Sequence, residues 1–337
     1  MTIERIDPAN LDLETAHQLA VIADACRVAS TPRMPAANAK TLLGLAQHTF
    51  DDRPFDAMWI ARDSGGKPVA DASLEVSAWD NRHLATVFCA VDPAATGQGI
   101  GTALLEGQIK EARTAGCTTL TTFCVRDRRA ERFLLGAGFE RRQLTALRRL
   151  EPPRLDYDHI EALAEDAQGR ARDYELVSLD GSAPREWLPK LTALFEAIND
   201  APNDGLDFEP EAYPVERVQR YERAMSARRQ HVYRIMARHR TTGEWAGHTI
   251  LVADEHRPGI GIQEDTTVVP AHRGHRLGLL LKARMLLWMR DERPELTLID
   301  TWNAESNTYM IAVNEHLGCE LVYEGSALQL KLPLIAG

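Results

Sequence analysis

Two stretches of this 337-residue chain space their glycines in a way that could hold an anion: VDPAATGQGIGTALL from Val91 and VVPAHRGHRLGLLLK from Val268. Each reads as a strand ending near a proline, a short turn, a glycine-spaced loop and an apolar helix. Glycine at alternate positions there lets the backbone approach a ligand closely and turns several N–H groups toward one point at the helix N-terminus. The spacing excludes two familiar phosphate loops. Gly97, Gly99 and Gly101 form GxGxG with Thr102 where a dinucleotide-binding loop needs its third glycine, and neither stretch has the Lys followed by Ser or Thr of a P-loop. In the second stretch Arg273 and Arg276 flank the helix start. A helix N-terminus is itself partly positive, so each guanidinium costs about 0.3–1 kcal/mol there unless an anion is present. A bound phosphate is the expected reason for them.

The elements that position these loops occur twice. The prolines Pro93 and Pro270, and the last loop glycines Gly101 and Gly278, are each 177 residues apart; LGAGFE ending at Glu140 and EHLGCE ending at Glu320 are 180 apart. A slowly drifting offset over most of each half indicates a duplicated domain. The expected division is a first domain over residues 1–150, a helical linker over 151–172 carrying Ile160, Leu163 and Ala164, and a second domain over 173–337. In the second half YELVSLD is a strand, and WLPKLTALFEAI is a helix with Leu188, Leu191, Leu194 and Phe195 on one side. A helix around Val215 to Arg229 follows, then the strands HVYRIMARH, AGHTILVADEH and QEDTTVVP. The helix from Leu277 turns Leu280, Leu281, Met285 and Trp288 inward, and LTLIDTW, NTYMIAVNEHL and CELVYEG complete a β-α-α-β-β-β-α-β-α-β order. The expected fold class is α/β, a mixed twisted sheet with helices on both faces in each of two tandem domains.

Composition narrows the partners. Lys and Arg total 39 against 49 Asp and Glu, a net charge of −10 that repels a nucleic-acid backbone. No stretch approaches the roughly 18 apolar residues of a membrane span, and MTIERIDPANLD lacks signal-peptide character; the expectation is a cytoplasmic protein. The cysteines Cys26, Cys89, Cys117, Cys124 and Cys319 are odd in number and form no CxxC pair, as reduced packing residues would be, so neither a disulfide framework nor a metal is expected.

The two loops and the element order resemble the acyl-CoA-dependent GNAT acyltransferases, whose pyrophosphate loop reads Arg or Gln, x, x, Gly, x, Gly or Ala; the likeness covers nearly all of both halves and is closest to the tandem arrangement. Arg273 and Gly278 match the ends of that motif, but Arg276 stands at its middle glycine; Gly99 and Gly101 match in the first half, where Thr96 replaces the Arg or Gln. The resemblance implies acetyl-CoA as co-substrate. It implies that Val268 and Val269 pair with the pantetheine arm, while Gly274, His275, Arg276, Leu277, Gly278 and Leu279 hold the pyrophosphate. In the first half it points to Ala90 and Val91, with Gly97, Gln98, Gly99, Ile100, Gly101 and Thr102.

It further implies direct attack of a primary amine on the thioester. Such an amine, of pKa about 10.4, is mostly protonated at pH 7, so a base must take its proton. The family's carboxylate position corresponds to Ile262 and to Ala85, and neither is a base. Strand alternation puts Glu264, two residues on, on the same face as Ile262, with Asp265 beside it; Glu264, Asp265 or a water chain is the expected base. The family's tyrosine position is Asn314 in one half and Leu134 in the other; an amide could hydrogen-bond a departing thiolate, whereas leucine can do nothing. The second half is therefore expected to be active, and the first catalytically weak though able to bind CoA. The acidic loop NDAPNDGLDFEPE from Asn199 falls where this fold builds its acceptor wall. It either concentrates a cationic amine or is solvated without touching substrate. Trp302, Tyr213 and Tyr309 are wall or core residues, and His83, His248 and His256 take no assigned role. The expected activity is N-acetylation of the primary amine of a small molecule; an acyl-CoA-binding sensor or scaffold and a protein N-acetyltransferase are the alternatives.

Overall fold

The computed structural model describes residues 1–333. The chain divides into two units, one of Met1–Leu144, Asp204–Glu209 and the residues from Glu324 onward, the other of Thr145–Asn203 and Pro210–Tyr323. The first begins with β1 (Thr2–Ile6), α1 (Leu13–Ser30) and α2 (Ala39–Gln47). Both helices start where a side-chain oxygen satisfies free backbone donors: Asp12 accepts from Thr15 N, and Asn38 from Lys40 N and Thr41 N. Then come β2 (Ala57–Arg62), β3 (Pro68–Val76), β4 (Leu84–Val91), α3 (Ile100–Thr114), β5 (Thr119–Val125), α4 (Arg129–Gly136) and β6 (Glu140–Leu150). Alternation along the strands sends Ala57, Leu74 and Val87 toward Ile100 and Leu104 of α3, and Met58 and Ile60 toward Ala16 and Leu19 of α1.

The second half of the sequence repeats the plan with α5 (Tyr157–Arg170), β7 (Tyr174–Asp180), α6 (Leu188–Glu196), α7 (Val215–Ala227), β8 (Gln230–His239), β9 (Trp245–Asp254), β10 (Ile260–Val268), α8 (Leu277–Glu292), β11 (Leu298–Ala304), α9 (Thr308–His316) and β12 (Glu320–Lys331). Leu280, Leu281 and Met285 of α8 are fully buried, as their spacing predicted. One face of the sheet packs on α8 and α5, the other on α6 and α7.

The strand orders correspond: β1-β2-β3-β4-β5-β12 in the first unit, β7-β8-β9-β10-β11-β6 in the second. Neighbours are antiparallel except β4 with β5 and β10 with β11. In each sheet the strand beside β5 or β11 comes from the other half of the sequence. Gly325–Lys331 of β12 pair with β5, and Thr145–Leu150 of β6 pair with β11. The units therefore differ from the contiguous division at residues 150 and 173. Within residues 151–172 the helix α5 buries Ile160, Ala164 and Ala167 in the core that contains α8.

The exchanged strand β12 is tied into the first unit by a carboxylate. Glu131 of α4, 2% exposed, accepts from Ser326 Oγ at 2.5 Å, Asp127 N at 2.7 Å, and Arg141 Nε and Nη2 at 2.9 and 2.7 Å. Burial alone would raise its pKa, but Ser326, the Asp127 amide and Arg141 outweigh it and hold the carboxyl below its usual range. A depressed folded-state pKa means stability that is present above the unfolded value and lost as pH falls through the folded one. Glu131→Gln is expected to cost about 1–3 kcal/mol at pH 7, with the deficit shrinking below about pH 4; urea titrations across that range measure both.

Candidate active site

Both units open beside their single parallel strand pair. Between β4 and β5 the ladder runs only from Leu84↔Thr119 to Thr86↔Thr121, and between β10 and β11 only from Ile260↔Leu298 to Ile262↔Asp300. Beyond those rungs the strands part. The edges of β4 after Thr86 and of β10 after Ile262 then present backbone donors and acceptors to the gap, suited to an extended amide-bearing chain. Each of these strands leads through a 3-10 turn, Pro93–Ala95 or Pro270–His272, into a loop and a helix.

The first loop needs its glycines. Gly97 and Gly99 have φ of +81° and +80°, and Gly99 is the residue that starts α3. At the corresponding point of the second loop Gly274 has φ +86°, but Arg276 sits in the left-handed region at +57°, a conformation costing a non-glycine residue about 1–2 kcal/mol. Its charge has a partner that sequence did not show. Arg276 is ion-paired with Asp166 of α5, and Arg273 donates to Asp200 Oδ2 at 2.5 Å and to Val268 O at 3.1 Å. These two aspartates supply the anions that the helix end demands, so the arginine pair does not by itself require a phosphate. The first loop, with Thr96 in place of an arginine, gains a cation from elsewhere: Arg129 Nη2 of α4 lies 3.9 Å from where a side chain on Gly97 would begin. Phe133 of α4 and Tyr309 of α9 stand alike, 3.5 and 3.7 Å from the corresponding points on Gly101 and Gly278.

The second opening carries the carboxylates. Pairing of β9 with β10 slips between Gln263 and Thr266. The side chains of both residues nevertheless reach Thr249 Oγ1, at 3.0 and 2.7 Å, and so lie on one face. The extra residue of this β-bulge lets the two between them, Glu264 and Asp265, both turn toward α6 and α7. Glu264, half-buried, accepts from the Tyr221 hydroxyl at 2.5 Å. Burial pushes its carboxyl up to about 7; Tyr221 opposes this, Asp265 adds to it, and Arg228 and Arg234 oppose it. Asp265 is pushed up to about 6, by burial and then by Glu211. Glu211 accepts from the Tyr213 hydroxyl at 2.6 Å and from Arg217 Nη2 at 3.0 Å. Strand β4 runs beside β3 without a slip from Ala70↔Val91 to Val76↔Ala85, and holds no carboxylate.

Sequence reading missed the support beneath this pair. Arg234 of β8 is fully buried, donates to Glu222 Oε1 at 3.4 Å and lies 5.5 Å from the centre of the Phe195 ring. His248 of β9 is also fully buried, edge-on to Phe195, and burial followed by Arg234 pushes its pKa well below 6.5, so it is neutral. Asn314 is not open to a departing thiolate: it has no exposed surface, and its Nδ2 donates to Asn303 Oδ1 at 2.7 Å. The acidic loop is not a single wall. Asp207 pairs with Lys331 and accepts from Thr119 Oγ1 at 3.2 Å, and Glu209 exchanges hydrogen bonds with Asn81, all within the first unit. Glu211, further along the loop, acts on Asp265 of the bulge through its charge. His83 lies beside Asp207, 3.4 Å away. Trp302 and Tyr309 are 47% and 61% exposed, while Tyr213 stacks on Phe195.

The acetyltransferase (GNAT) family model matches residues 27–139, within the first unit. Comparison with curated proteins gives no match. Among solved structures, a tandem GNAT protein from the clavulanic acid biosynthesis pathway is similar over 98% of both chains, at 26% identity and a TM-score of 0.78. A GCN5-related N-acetyltransferase from Sphaerobacter thermophilus covers 98% of this chain and 95% of its own, at 15% identity and a TM-score of 0.68. The chain has a tandem GNAT fold, and acyl transfer is the chemistry that this fold and the family match support.

Proposed function

We propose that the protein transfers an acetyl group from acetyl-CoA to the primary amine of a small cationic molecule, with the reaction carried out in the second unit. The observation that carries this reading is the bulged strand that puts Glu264 and Asp265 together beside the opening between β10 and β11, with Glu264 poised at about 7. A base of that pKa is ionised for much of the time at neutral pH yet basic enough to accept an ammonium proton. Glu264 takes one proton from the acceptor ammonium, the freed amine nitrogen attacks the thioester carbonyl carbon, the C–S bond breaks, and the second proton, lost by the new amide nitrogen, goes to the departing sulfur. The thiolate of CoA, from a thiol of pKa about 8.5, departs with little help, which fits the buried Asn314.

Val268 and Val269 are the backbone partners of the pantetheine arm in this reading, and Gly274, His275, Leu277, Gly278 and Leu279 line the pyrophosphate hollow with Arg276. Ala90, Val91, Gly97, Gln98, Gly99, Ile100, Gly101, Thr102 and Arg129 form a second CoA site in the first unit. Glu211 and Asp265 give the acceptor side its negative field, and no metal takes part.

Thiol release from acetyl-CoA against a panel of primary amines, polyamines included, tests the proposal. Release that depends on one of the cationic amines is the expected result. Tight CoA binding without release for any amine would support a sensor, a reading favoured by the buried Asn314 and by Leu134, which stand at the family's tyrosine positions.

A further inference from the structure

Tyr221 lies on the inward face of α7 with Val218, Ala224 and Met225 and is 9% exposed. Its ring meets Phe195 edge-on, with centroids 5.8 Å apart and an interplanar angle of 65°. Packing thus fixes where the hydroxyl points, and it points at Glu264 Oε2, 2.5 Å away. A residue so enclosed reaches the reaction only through the carboxylate it holds.

We propose that Tyr221 is a positioning residue: its hydroxyl fixes one oxygen of Glu264, leaves Oε1 to take the proton from the acceptor ammonium, and keeps the carboxylate ionised in a half-buried place. This rests on Glu264 being the proton acceptor. A donor hydrogen bond to the charged form favours that form, and the shift Tyr221 exerts on Glu264 is in that direction.

The other groups facing Glu264 fix the sign. Arg234 on β8, and Arg228 at the end of α7, favour the ionised carboxylate; Asp265 on β10 disfavours it, with Glu211 and Tyr213 lying beyond Asp265. His248 on β9 contributes no charge, and Glu222 of α7 is engaged by Arg234 and by Ala183 N. Removing the phenol leaves burial and Asp265 less opposed, so the carboxyl midpoint rises. Activity that needs the ionised form is lost as pH falls through that midpoint, so the acid limb of the rate profile moves to higher pH.

The test is Tyr221→Phe in the full chain, which keeps the ring against Phe195 and deletes only the donor. With the glutamate carboxyl carbons labelled with carbon-13 and the Glu264 resonance assigned by its absence in Glu264→Gln, NMR titration reads the midpoint without any ligand. The expected result is an upward shift on the order of one pH unit. The acid limb of thiol release, measured with acetyl-CoA and the amine that gave turnover, is expected to move equally, with the plateau at high pH retained. An unmoved midpoint overturns the role of Tyr221. A moved midpoint with an unmoved limb instead removes Glu264 as proton acceptor, and Tyr221's part in catalysis with it.

Discussion

Glu264→Gln is expected to lower kcat for amine-dependent thiol release by about 10²–10³-fold, the usual cost of losing a general base, and to abolish the acid limb of its pH profile. Glutamine keeps the size of the side chain and can still accept from the Tyr221 hydroxyl, so local packing is preserved while the proton acceptor is lost. Binding of CoA should be unchanged, because the hollow proposed for its phosphates lies at the start of α8, away from Glu264. The bulge also provides the control. Asp265 is the neighbouring carboxylate on the same side of the strand, with a midpoint near 6 against about 7 for Glu264. Both must be ionised to act, so activity falls as pH falls, in a lower range if Asp265 is the base. Full activity in Glu264→Gln together with its loss in Asp265→Asn would assign the reaction to the neighbour.

Arg149→Ala is expected to destabilise the second unit by about 3–5 kcal/mol, read as a lowered urea midpoint with binding and activity assayed well below it. Arg149 of β6 grips Asp300 of β11 with two bonds, Nε to Oδ1 at 2.6 Å and Nη2 to Oδ2 at 2.7 Å, and the side chains are only 8% and 5% exposed. The size of the effect comes from the carboxylate left buried without its partner rather than from the attraction alone. Arg149→Leu combined with Asp300→Leu should therefore recover most of the loss. The place of the pair makes it matter for function: Asp300 is the partner of Ile262 on the last rung before β10 and β11 part. A pair locked there keeps the opening from extending further down the sheet.

Much of this architecture could be read from residue patterns. The repeated strand, loop and helix and the inward stripe of α8 follow from periodicity and glycine spacing, which act locally. The Glu264 face followed from alternation. The presence of Asp265 on that same face did not, because the slip of β10 is marked by no glycine or proline and becomes visible only when Gln263 and Thr266 are both seen to reach Thr249. The partners of Arg273 and Arg276 were equally hidden: Asp166 lies 110 residues away on a helix whose charged side looks merely solvated. Arg129 reaches the first loop from a helix three elements along. The destination of β6 and β12 escaped for another reason. Duplicated strands carry near-equivalent patterns, and pattern alone does not say which of two equivalent sheet edges a strand will join.

That crossing of strands makes the two copies mutually obligate. A chain cut near residue 150 yields an N-terminal piece in which β5 has lost its neighbour and shows a bare row of hydrogen-bonding groups, the kind of edge that recruits other chains. The C-terminal piece lacks the segment that buries Asp300. Neither copy can be shed or moved to another gene without first regrowing a strand, so a duplication that could have produced two independent enzymes is held together as one inheritance.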